Sequence, residues 1–213
     1  MRVYPGGRVE VVVPPGASPI SVERFVGLHR RWIDDRVADL SVAGGVVESL
    51  RPQRIELAAI GRSYSVEYVS DRRDVRVVAG SDRLVVSGRI DDERRVAQAL
   101  QRWLADFAQA ELGRELQQTA KQCGLHFKRM QIRRQRTRWG SCSVSGTISL
   151  NMCVLFQEAA VMRYLLIHEL SHTQHMNHSR RFWSLVESLE PEYRRLDREL
   201  LRGWQSVPSW MFE

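Results

Sequence analysis

HELSHTQHMNHSRRFW, residues 168–183, holds four of the six histidines of a 213-residue chain. His168 and His172 are four residues apart. On a helix that separation leaves them roughly 40° apart round the axis and one turn apart along it, so two imidazoles can grip one ion. Glu169 follows the first histidine and points into the neighbouring cleft, near the metal but not on it, where a carboxylate can take a proton from water activated by the metal. A zinc centre needs at least one more protein ligand. His178 is the nearest candidate, but an unbroken helix would carry it roughly 240° round from His172, onto the wrong face. The helix must therefore end between them. Asn177 tolerates a left-handed turn and Ser179 can cap a following helix, which returns His178 to the metal. His175 is the second choice, since on an unbroken helix it is the seventh-residue neighbour of His168. Val161, Tyr164, Leu165 and Ile167 form an apolar lead-in that buries the helix, and a buried histidine pair needs partners.

Ahead of this stretch, RTRWGSCSVSGTISLN (136–151) sets a turn at Val144-Ser145-Gly146 between two short strands, a hairpin beside the metal helix. Gly140, Ser141 and Ser143 are small enough either to let a substrate backbone approach a sheet edge or to satisfy tight packing of the hairpin itself. This run, the HELSH stretch and NHSRRFW together resemble the YgjP-like metallopeptidases, relatives of the SprT zinc proteases. The likeness extends more weakly into the β-rich N-terminal half and so covers most of the chain. It implies zinc held by His168, His172 and His178, with Glu169 as catalytic base. Metzincins share the six-residue step to a third histidine. They differ in having glycine where this chain has His175, and a methionine turn after the site, whereas the only methionine after His178 is Met211.

With 43% hydrophobic and 27% charged residues, the composition is that of an ordinary globular protein. No run approaches the roughly 18–20 apolar residues of a membrane span, and the start, MRVYPGGRVEVVVPPG, lacks the shape of a signal peptide. A cytoplasmic protein is expected. Cys123, Cys142 and Cys153 are odd in number and form no CxxC pair, so packed, reduced thiols are expected. His29 and His126 stand alone and read as packing or surface residues. The net charge of +7 favours acidic partners. Part of it is local: KRMQIRRQRTR (128–138) carries Lys128, Arg129, Arg133, Arg134, Arg136 and Arg138 with no acid between them. That run reads either as a solvated strand face or as a nucleic-acid contact.

Along the chain, RVEVVV (8–13) reads as a strand ending at Pro14-Pro15-Gly16, and a helix follows, capped by Ser21 with Ile20 and Phe25 as a staple and an apolar stripe running to Leu40. Ser41–Gln53 reads as a loop. From Arg54 come RIELAAI, SYSVEYV, VRVVA and RLVVS, punctuated by turns, expected as successive antiparallel hairpins. Asp92 caps a long helix that Gly124 stops after Cys123, with Val96, Leu100, Trp103, Phe107 and Leu116 along one face. FKRMQIRR alternates as an edge or half-buried strand does. Past the site, Phe182, Trp183, Val186 and Leu189 make a short helix able to lock His178. Pro191 suits the opening turn of a last helix with Tyr193, Leu196 and Leu200 inward. Tyr193 and Arg180 are oxyanion-stabiliser candidates by residue type only.

The expected fold class is α+β: a zincin-like metallopeptidase core in residues 91–213, its HExxH helix beside a β-hairpin, and a β-rich part with one helix in residues 1–90. The expected function is a Zn2+-dependent metallopeptidase that hydrolyses peptide bonds in a peptide or protein substrate, Glu169 assisting attack by metal-activated water. A metal-dependent amidase using the same residues, and a nucleic-acid-associated zinc protein of SprT-like type, are the alternatives.

Overall fold

The structure, a computed structural model, describes residues 2–3, 9–11, 13, 16, 18–30, 33–34 and 50–213. The chain divides into two compact units, Met1–Ser49 and Leu50–Glu213. In the first, β1 (Arg2–Val3) pairs antiparallel with β2 (Val9–Glu10). Helix α1 spans Pro19–Leu28, with Ser18 at its N-cap and no side-chain cap bond. It therefore starts ahead of Ser21, which was expected to cap it. Proline's fixed φ and missing N–H suit the first helical position, and this decides the start. Helix α1 ends at Leu28 with His29 at its C-cap, short of the expected single run to Leu40, and Arg30, Ile33 and Asp34 are helical again; residues 31–32 and 35–49 and parts of the strand over 8–13 lie outside the described residues.

The second unit opens with β3 (Arg54–Leu57), a 3-10 turn (Ala58–Ile60), β4 (Arg62–Ser70), β5 (Arg76–Ala79) and β6 (Arg83–Gly88). Its sheet has the order β3-β4-β6-β5. β3 with β4 and β5 with β6 are antiparallel, as expected, but β4 runs parallel to β6. The expectation of hairpins throughout fails at β4–β5. Instead, β6 inserts between them, and its alternating Leu84, Val86 and Gly88 are buried.

Helix α2 (Glu93–Cys123) is closed at one end by Asp92, whose side chain accepts from the Arg95 N–H, and at the other by Gly124 at φ 66°. Both signals were legible in the sequence. Besides Ala97, its fully buried residues, Val96, Leu100, Leu104, Ala108, Leu112 and Leu116, recur every fourth position. That spacing overshoots a turn by about 40° each time, so the stripe winds about half-way round the helix. The near end meets the first sheet, where Tyr64 packs edge-on against Trp103 and Phe107. The far end meets a second sheet, where a methyl of Met130 lies close against Gly113.

That second sheet consists of β7 (Arg129–Arg133), β8 (Gly140–Cys142) and β9 (Thr147–Asn151) in the order β7-β9-β8. β8 and β9 form the expected hairpin, and β7 joins parallel to β9. Asn151 pins the loop between β7 and β8: its amide donates to the carbonyls of Gln135 and Arg138 at 2.6 and 2.9 Å. A buried 3-10 turn, Met152–Phe156, leads into α3 (Ala159–Ser171), followed by α4 (Arg180–Leu189) and α5 (Tyr193–Arg202). The whole is mixed α+β. Among the described residues no helix is long and apolar enough to cross a membrane, and Cys123, Cys142 and Cys153 are unpaired.

Candidate metal centre

Helix α3 is buried over most of its surface, including Val161, Tyr164, Leu165 and Ile167. It ends at Ser171, with His172 at the C-cap. The chain turns where His175 and Gln174 donate their N–H groups to the Ser171 carbonyl, and Ser179 then caps α4 by accepting from Phe182. The bend forms without the left-handed residue expected at Asn177, since among the described residues no non-glycine has positive φ. Asn177 contributes its carbonyl instead, accepting from Ser179 N–H at 2.8 Å.

The bend brings His178 back to the helix. One ring nitrogen from each of His168, His172 and His178 lies within 4.8 Å of the others, the one group of metal-ligating residues that converges in this way among the described residues. His168 Nε2 and His178 Nε2 are 3.1 Å apart. Nitrogens each ~2.0–2.1 Å from one tetrahedral zinc would stand roughly 3.3 Å apart. His175 is not in the group; its carbonyl serves His172 Nδ1 at 3.1 Å. A carbonyl only accepts, so His172 carries its proton on Nδ1 and its Nε2 has a free lone pair. Such an outer partner for the second ring nitrogen is what metal-ligating histidines ordinarily have. His29 and His126 lie outside the group.

Phe182 is the floor beneath the three rings. It is fully buried and stands 5.0, 4.5 and 4.9 Å from the centroids of His168, His172 and His178. His178 is exposed but not loose, because its ring stacks on Trp183 and Trp183 stacks on Tyr193. Tyr193 thus packs behind Trp183, and Arg180 stands exposed at the start of α4. Burial and the two neighbouring imidazoles hold His168 down at about 3, and burial lowers His172 as well. Neutral rings, the form that ligates a metal, are thus favoured.

Glu169 lies against β8. Its side chain is only 4% exposed, and Oε2 has no hydrogen-bond partner. Burial pushes its carboxyl up to about 8. It lies so close to Gly140 that a Cβ there would stand 2.6 Å from Oε1 and 2.8 Å from Cγ. The small residue at the start of β8 is therefore occupied by the carboxylate of α3, a role that spacing alone could not reveal. Cys142, further along β8, is partly buried, and burial followed by the nearby Glu169 charge raises its thiol to about 11, far from a thiolate ligand.

The basic run is partly committed inside the molecule. Arg134 bonds to Gln101 and to the Glu213 carbonyl, and Arg136 donates to the Phe212 carbonyl at 2.8 Å. These bonds fasten the C-terminal tail, while Lys128, Arg129, Arg133 and Arg138 remain exposed.

The family model described as YgjP-like, metallopeptidase domain, matches residues 1–202. Among solved structures, the crystal structure of the metallopeptidase zymogen of Pyrococcus abyssi abylysin is 31% identical over 42% of this chain and 92% of its own, with a TM-score of 0.38. No curated protein matches the chain.

Proposed function

Because the chain belongs to the YgjP-like metallopeptidase family, we propose that it is a zinc-dependent peptidase in which His168, His172 and His178 hold the ion and Glu169 is the general base. The observation that carries the reading is the convergence of three imidazoles on one point from either side of a bend. A zinc ion there supplies a Lewis acid, which brings the pKa of water down to about 7 and polarises a carbonyl. Glu169 takes up a proton at its carboxylate and returns it to the leaving nitrogen. Its burial and its unpartnered oxygen suit a group that must gain and lose a proton with water largely excluded. Gly140 lets the carboxylate seat against β8. β8 is an edge strand, so an extended peptide can add to it through main-chain hydrogen bonds, which gives affinity with little sequence selectivity. In this reading the core is zincin-like, the catalytic part lies within residues 91–213, and residues 1–90 form the β-rich remainder.

The test is hydrolysis of casein and of small amides by the zinc-loaded wild type and Glu169→Gln. Wild type should cleave casein. The variant should keep about one equivalent of zinc and lose turnover by on the order of 100-fold or more. Cleavage of small amides with casein left intact would assign the alternative amidase activity, and full turnover in Glu169→Gln would remove the base assignment.

A further inference from the structure

One turn before His168 on α3, the Tyr164 hydroxyl is engaged on two sides. It donates to Asp197 Oδ1 at 2.7 Å and stands 3.3 Å from His168 Nδ1. A phenol has a single proton. With that proton directed at Asp197, the oxygen can only accept from the imidazole. His168 is then the Nδ1–H tautomer, and its lone pair sits on Nε2, the atom that faces His178. From this geometry we propose that Asp197, on α5, acts on the metal centre through Tyr164, the two forming a positioning relay that fixes the tautomer and ring orientation of His168. The inference rests on the metal-site reading above.

The need to satisfy a buried phenol does not account for this arrangement. Tyr164 is fully buried, but one carboxylate acceptor already meets that need. The second contact is to a ligand candidate, and because Asp197 takes the phenol proton the oxygen meets the imidazole as an acceptor. His172 is served differently, by the main-chain carbonyl of His175. Of the two helix-borne imidazoles, His168 is thus the one whose tautomer and orientation side chains set, and α5 is thereby coupled to the site.

The experiment compares full-length wild type with Tyr164→Phe, Asp197→Ala, Asp197→Asn and the double variant Tyr164→Phe/Asp197→Ala. Zinc affinity is read by chelator competition and the visible spectrum by cobalt substitution. The thermal midpoint of each metal-free protein reports whether it folds. Tyr164→Phe should weaken zinc binding roughly 10–100-fold and shift the cobalt bands. Asp197→Ala should weaken it in the same direction, and Asp197→Asn, which keeps an acceptor, should recover most of the loss. The double variant should bind within about twofold of Tyr164→Phe, as a relay in which Asp197 acts through Tyr164 requires. Single variants that fold and bind zinc like wild type, or losses that multiply in the double variant, overturn the relay and leave the metal-site reading standing. A wild type that binds no zinc brings down both.

Discussion

The second unit contains one strand arrangement twice, with different consequences. In β4-β6-β5 and in β7-β9-β8 a first strand runs parallel to the third, and the second folds back antiparallel on the far side. Both sets lean on α2. In the first set the outer strand, β5, begins at Arg76 and presents solvent-facing positions, Val78 being 61% exposed. In the second, the outer strand β8 begins at Gly140 and meets the Glu169 carboxylate of α3. The topology is shared, so the chemistry comes from the residues set against the outer strand.

The sharpest way to break that comparison is to remove a ligand beside the second set. His178→Ala should weaken zinc beyond the roughly 10–100-fold that outer partners cost, whereas His175→Ala, which keeps its carbonyl, should change it little. Equilibrium competition with a chelator measures both, and the reverse order would move the ligand to His175.

Next in size is a matched pair at the start of each outer strand. Gly140→Ala should push Glu169 off its seat and lower kcat/KM on the order of 100-fold with zinc retained, the cost of misplacing a reacting group by an ångström. Arg76→Ala, on an exposed strand end, should stay within about 0.5 kcal/mol of wild type in stability and leave activity unchanged. Equal effects at the two positions would erase the distinction between the sets.

The smallest effect concerns proton linkage at Glu169. Burial raises its folded pKa from 4.5 to about 8, so the folded protein keeps a proton that the unfolded chain has released. That stabilisation is intact below about pH 4.5 and is lost as pH rises through about 8. Chelator-treated wild type should therefore lose thermal midpoint relative to Glu169→Gln across that window. The depressed His168 acts in both proteins and cancels in the difference. A constant difference across the range would mean that the carboxyl is not desolvated.

Local signals were legible in the sequence, and long-range ones were not. Asp92 and Gly124 bracket α2, and Val144-Ser145-Gly146 turns the β8–β9 hairpin, because capping and turn chemistry act within a few residues. The four-residue step from His168 to His172 and the need for a bend before His178 are equally local. The parallel pairing of β4 with β6 was hidden, since consecutive alternating runs look alike whether or not a later strand inserts between them. The Tyr164–Asp197 bond spans 33 residues and left no periodic trace. Gly140 was legible as a small residue, but what fills its space could only be seen in three dimensions. Asn177 was misread because its residue type favours a left-handed turn that the Ser171 carbonyl makes unnecessary.

X-ray absorption of the zinc-loaded protein tests the central assignment most directly. The account predicts three imidazole nitrogens at ~2.0–2.1 Å with no sulfur scatterer, a fourth position being left to a light atom. A sulfur shell near ~2.3 Å, which would bring in a cysteine such as Cys142, or fewer than three imidazoles around the ion, would contradict it.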